Sequence, residues 1–118
     1  MSRHDPRLTL SQMLAHCREA RDLCRGKTRD DLDRERLLEL GLLRLLEVVG
    51  EGATRLPDEL RQRHPEVPWA RITGLRNRLI HAYDYINLDI IWAIVTTNLP
   101  DLPGLIEQLE RILDEGSA

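Results

Sequence analysis

The chain has 118 residues, 42% of them hydrophobic and 31% charged. That is the make-up of one globular domain able to bury its own core, not of a disordered segment. A net charge of −3 argues against a general polyanion binder, so any nucleic-acid site must come from local charge.

Leucine and arginine abound, phenylalanine is absent and β-branched runs are scarce, which predicts an all-α fold. Residues 1–6 read as a loose start. From about Leu8 to Arg25 the apolar positions Leu10, Met13, Leu14, Cys17, Ala20 and Cys24 follow helical spacing. Gly26 is placed to end this helix. Thr28 is placed to cap the next one, with Asp30 and Asp31 favouring its dipole. Cys17 and Cys24 lie seven apart, about 10 Å along a helix axis at 1.5 Å per residue. That is too far for a mutual disulfide, so they read as small buried thiols.

A leucine-rich helix follows from about Asp33 to Thr54. Leu38, Leu42, Leu45, Leu46 and Val49 form its main stripe, and Leu37, Leu40, Leu43 and Val48 widen it. A helix this apolar predicts cover on more than one side, within a bundle or between subunits. Gly41, Gly50 and Gly52 read as permitting close approach of another helix, the alternative being that Gly50 and Gly52 weaken this helix's end. Glu47 and Glu51, at i and i+4, read as a solvated edge.

Pro57 suits the start of a short helix, Asp58 to Arg63, which Pro65 ends. Val67 before Pro68 should be extended. Pro68-Trp69 then opens a helix expected to run to about Ala82, with Ile72, Leu75 and Leu79 buried and Trp69 a core anchor. Asn87 caps a helix from Leu88 to about Asn98. It is apolar almost all round and expected at the centre. The last helix, about Pro103 to Glu115, is amphipathic through Leu105, Ile106, Leu109, Ile112 and Leu113, and residues 116–118 fray. The sum is one domain over 1–118, an up-down four-helix bundle with short extra helices. The polar start carries no export signal, no stretch approaches the length of a membrane span, and a reduced cytoplasmic compartment is expected.

Chemistry concentrates in residues 76–83, Arg76-Asn77-Arg78-Leu79-Ile80-His81-Ala82-Tyr83. Charge is uneven around it. Residues 61–81 hold Arg61, Arg63, Arg71, Arg76 and Arg78 against Glu66 alone, while residues 101–115 are acidic. Arginine offers a planar fork of donors to a phosphate, and histidine exchanges protons near neutral pH. Together they suit RNA cleavage in which the ribose 2′-OH attacks the neighbouring phosphorus. No carboxylate or Cys/His set with metal-ligand spacing accompanies them, so neither a metal nor a cofactor is expected. On a straight helix Arg76 and His81, five apart, stand roughly 140° apart, whereas Asn77 and Arg78 share the His81 face. Arg76 must reach round, the helix must open, or a second copy must complete the site. His4, His16 and His64 have no such neighbourhood and read as surface residues.

Arg76 to Tyr83 forms R-x4-H-x-Y, which resembles the signature of HepT toxins in the HEPN superfamily. The similarity extends through Leu45-Glu47-Val48-Val49-Gly50-Glu51, Leu56-Pro57, Val67-Pro68-Trp69, Ile72-Thr73-Gly74-Leu75-Arg76-Asn77 and Asn98-Leu99-Pro100, in family order over about residues 8–113. The resemblance implies an all-α homodimer and a metal-independent endoribonuclease with a composite site between protomers. Arg76 and His81 take the catalytic positions and Asn77 the polar position beside them, with Arg78, on the same helix face as His81, a further supporting residue. It also implies a type VII-like toxin–antitoxin pair. There an MNT-type nucleotidyltransferase antitoxin attaches AMP to Tyr83 and silences RNA cleavage. The competing reading is a non-catalytic helical subunit that docks a nucleotidyltransferase or presents a nucleotide to it.

Overall fold

The computed structural model describes residues 5–81, 85–97 and 101–115, and of Ile80, His81 and Tyr85 it describes the backbone. The described residues form eight helices and one short strand pair. The helices are α1 (Pro6–Leu23), α2 (Arg29–Arg34), α3 (Arg36–Arg55), α4 (Asp58–Arg63), α5 (Trp69–Thr73), α6 (Leu75–Leu79), α7 (Leu88–Thr96) and α8 (Leu102–Glu115). The strands β1 (Ile80–His81) and β2 (Tyr85–Ile86) are antiparallel, Ile80 opposite Ile86 and His81 opposite Tyr85.

Local chemistry accounts for most boundaries. Helix α1 starts two residues before the expected Leu8. Pro6 occupies its first turn, and the Asp5 carboxylate accepts from the Arg7 backbone N–H at 2.9 Å. The loose start predicted for 1–6 therefore does not extend to Asp5 and Pro6. Gly26, at φ 75°, supplies the left-handed residue that turns the chain after α1. At α2 the Thr28 backbone N–H donates to the Asp31 carboxylate at 2.7 Å. The Asn87 side chain caps α7 by accepting from Ile90 N–H at 3.1 Å.

Four long helices close a ring. Helix α1 packs on α3 and α8, and α7 bridges α3 and α8. The core runs through Leu10, Met13, Leu14 and Cys17 of α1, Leu42, Leu46 and Val49 of α3, Ile91 and Ile94 of α7, and Leu105 and Leu109 of α8. Burial pushes the Cys17 thiol up to about 12 and the Cys24 thiol up to about 11. Both therefore stay protonated and unreactive at neutral pH. Gly50 and Gly52 serve close approach. A Cβ at Gly52 would stand 2.7 Å from Met13 Cγ, and one at Gly50 would stand 3.0 Å from the Ile72 carbonyl oxygen.

Within one copy of the chain the widened stripe of α3 is not covered throughout, since Leu37 is 85% exposed, which leaves cover between subunits as the open alternative. The expectation for α7 needs correcting. Helix α7 buries one face through Ile91, Ile94 and Val95, while Leu88, Ile90 and Trp92 are only half-buried. Its neighbours are α2, α3, α6 and α8, which leaves part of its circumference open. His64 is also more enclosed than expected, with a side chain 17% exposed and its ring 3.5 Å from Glu66. His4 and residues 98–100 and 116–118 lie outside the described residues.

Candidate active site

The motif helix expected over 68–82 is not continuous. It divides at Gly74 into α5 and α6, and α6 ends at Leu79. Ile80 and His81 then leave the helix to pair with Tyr85 and Ile86, and the Leu79 carbonyl accepts from Asn87 N–H at 3.0 Å. Of the three ways considered for reconciling Arg76 with His81, the opening of the helix is seen in the backbone. His81 stands in a strand, so the helical face it was expected to share with Asn77 and Arg78 does not form.

Helix α6 is held by Leu75 and Leu79, both buried. This turns Arg76 and Asn77 to solvent. The Arg76 side chain is 78% exposed, and its Nε comes no closer than 4.0 Å to the Glu47 carboxylate, which is itself largely covered. Arg76 lines a cleft of about 140 Å³ with Glu47, Gly50, Glu51, Thr54 and Thr73. The Glu47–Glu51 edge therefore borders the motif arginine and is not merely solvated. Weakly paired at the surface, the Arg76 guanidinium keeps its donors available for an anion.

Arg78 behaves differently. Its side chain turns inward, and Nη1 reaches Asp101 Oδ1 at 3.3 Å. Arg71 grips the same carboxylate with two bonds, Nε to Oδ1 at 2.9 Å and Nη2 to Oδ2 at 3.0 Å. Asp101 sits just before α8, whose Leu105 N–H donates to its backbone carbonyl at 3.0 Å. Burial raises the Asp101 pKa, but the hydrogen bonds from Arg71 and Arg78 lower it further, so the carboxyl stays below its ordinary range. Sequence reasoning missed this cluster. Asp101 is 30 and 23 residues from its partners, and it read as one member of an acidic run. The usable signal was an aspartate at the N-terminus of a helix, with two arginines seven apart upstream.

Trp69 is the anchor expected of it, and its indole N–H has a specific use. It donates to the Arg61 carbonyl at 3.1 Å and the His64 carbonyl at 2.9 Å, closing the C-terminal end of α4. The start of α5 is thereby tied to α4. Tyr83 lies outside the described residues. Among the described residues no group of three His, Cys, Asp or Glu side chains gathers as a metal site. No helix among them is long and apolar enough to cross a membrane.

The bundle and the R-x4-H segment at its broken helix define an all-α protein of HEPN type. The chain belongs to the "Ribonuclease HepT-like" family, whose model matches residues 13–109. It is 34% identical over 110 residues to a candidate RNase, TTE0752, of Caldanaerobacter subterraneus subsp. tengcongensis, covering 93% of this chain and 96% of that one. It is 32% identical over 115 residues to a candidate RNase, MJ0127, of Methanocaldococcus jannaschii, covering 98% and 93%. A protein of Thermococcus cleftensis, whose name marks it as a candidate ribonuclease HepT, is 33% identical over 73 residues, covering 62% and 66%. No solved structure matches the chain.

Proposed function

We propose that this chain is the toxin of a type VII-like toxin–antitoxin pair, an endoribonuclease that needs no metal. In this reading two copies form a cleft in which Arg76 and His81 act on RNA. The ribose 2′-OH attacks the neighbouring phosphorus and the bond to the 5′ oxygen breaks. His81 assists the proton transfers that remove the 2′ proton and protonate the leaving oxygen. Arg76 stabilises charge on the non-bridging oxygens. Asn77 supports from the same exposed face of α6. The observation that carries the reading is an exposed, weakly paired Arg76 at the opening of the helix before His81, in a chain of the HepT-like family.

The same reading includes control by an MNT-type nucleotidyltransferase antitoxin. The Tyr83 oxygen would attack the α-phosphorus of ATP and release pyrophosphate. The resulting anionic AMP group, two residues from His81, would block the cleft and repel RNA phosphates.

The test is cleavage of a single-stranded RNA by purified protein in excess EDTA. His81→Ala should lower the rate about 10²–10⁴-fold, the usual loss for a general acid/base, and Arg76→Ala should lose activity as well. Cleavage surviving both changes would contradict the assignment. A dimer that binds nucleotide and never cuts RNA would instead be the non-catalytic subunit. For the regulatory step, intact mass after co-expression with the nucleotidyltransferase should rise by one or more AMP units, and Tyr83→Phe should abolish the gain. An unchanged wild-type mass beside an active partner enzyme would remove the modification.

A further inference from the structure

We infer that Asp101 is a positioning residue for the proposed cleavage: clamping Arg71 and Arg78, it sets the angle at which α6 hands the chain to β1. This rests on the ribonuclease reading and deepens it. Helices α5 and α6 are five residues each, far too short to be stable alone. Their junction at Gly74 is an obvious place for the segment to flex. Arg71 lies before that junction and Arg78 after it, and both reach one carboxylate at 2.9–3.3 Å. Asp101 thus bridges the break.

The carboxylate is well fixed. Its side chain is 4% exposed, and it directly precedes α8, which Leu102, Leu105 and Leu109 bury in the core and whose Leu105 N–H donates to its carbonyl. The space around it, lined also by Leu46, Val49, Ile72 and Leu75, amounts to about 10 Å³. That is at or below the room one water needs, so the carboxylate and its two arginines are closely packed. Arg78 is three residues before His81, and its side chain is 23% exposed against 78% for Arg76. The two motif arginines therefore divide the work. Arg76 is offered to solvent, and Arg78 is bound inward and holds the segment.

The competing role for Arg78 is direct contact with RNA phosphate, and the two roles differ in what they change. The experiment compares full-length wild type, Asp101→Asn, Arg78→Ala, Arg78→Lys and the Asp101→Asn/Arg78→Ala double variant. It reads kcat and KM on a defined RNA, their salt dependence, and hydrogen exchange over 75–81 and 85–87. Arg78→Ala leaves the Arg71–Asp101 pair in place, so it guards against a folding failure in Asp101→Asn.

A clamp predicts that both single changes lower kcat by about 10–100-fold, the scale of a misplacement near 1 Å, with KM little changed. The double variant should be no worse than the weaker single one, and Arg78→Lys should recover part of the loss. Exchange should quicken over 75–81 and 85–87 but not in α1 or α3. The inference is overturned if Arg78→Ala raises KM and flattens the salt dependence while Asp101→Asn cuts at the wild-type kcat. It is overturned equally by wild-type exchange in Asp101→Asn. Failure of the wild type to cut any RNA would overturn the ribonuclease reading itself, a result distinct from these because exchange reports on the clamp independently of chemistry.

Discussion

Asp101 carries one negative charge against two guanidiniums, and its protonation should be visible in stability. Its folded pKa lies below the ordinary value, which for an unfolded aspartate is about 3.9. The native state therefore binds fewer protons than the unfolded one in this range. The stabilisation is full above the unfolded pKa and is lost as pH falls through the folded one. Arg71 and Arg78 are the groups facing it. Asp31 is also lowered, by the Thr28 backbone N–H and Arg34, but it is common to wild type and variant and cancels in their difference. Asp101→Asn should cost about 1–3 kcal/mol at neutral pH, the scale of lost hydrogen bonds to a charged group. That deficit should shrink at pH 3. Urea unfolding of both proteins at pH 7 and pH 3 measures it, and an equal deficit at both pH values would contradict the pairing. At this scale the burial of Ile72, Leu75 and Leu79 was legible from their spacing, but which of Arg76, Asn77 and Arg78 faces out was not. The inward turn of Arg78 was hidden because its partner comes from another part of the chain.

Among elements, caps and prolines were readable from local chemistry. The short helix Asp58–Arg63 and the Asn87 cap stand where the sequence puts them. The motif helix reads as continuous in sequence because its end depends on what the next few residues pair with. Ile80 and His81 leave the helix to meet Tyr85 and Ile86, a partnership with no helical or strand periodicity to announce it. The glycines of α3 were ambiguous for the same reason, since sequence shows the missing side chain but not what lies opposite. Space now separates them. At Gly41 a Cβ would meet only Leu23 Cδ1 at 3.5 Å, an ordinary contact, whereas at Gly52 it would stand 2.7 Å from Met13 Cγ, on a side chain 2% exposed. Gly41→Ala should therefore stabilise by up to about 1 kcal/mol through helix propensity. Gly52→Ala should destabilise by about 1–3 kcal/mol through overpacking. Denaturant midpoints check both, and a Gly52→Ala midpoint above wild type would contradict the close α1–α3 approach.

For the whole molecule, composition and the 3.6-residue period were enough for an all-α bundle, because each long helix carries its own apolar stripe. They were not enough to say how far each stripe is covered. Leu37 at 85% exposure and the half-buried Leu88, Ile90 and Trp92 of α7 satisfy the same pattern as their buried neighbours. The proposed activity joins the scales: α3 and Asp101 brace the broken motif helix, and the motif offers Arg76 and leads into His81. The most direct measurement is the chemistry of the RNA ends left by purified protein in excess EDTA, with His81→Ala alongside. The account predicts 2′,3′-cyclic phosphate and 5′-hydroxyl ends from wild type and almost none from His81→Ala. Ends bearing a 5′-phosphate, or equal cleavage by both proteins, would contradict it.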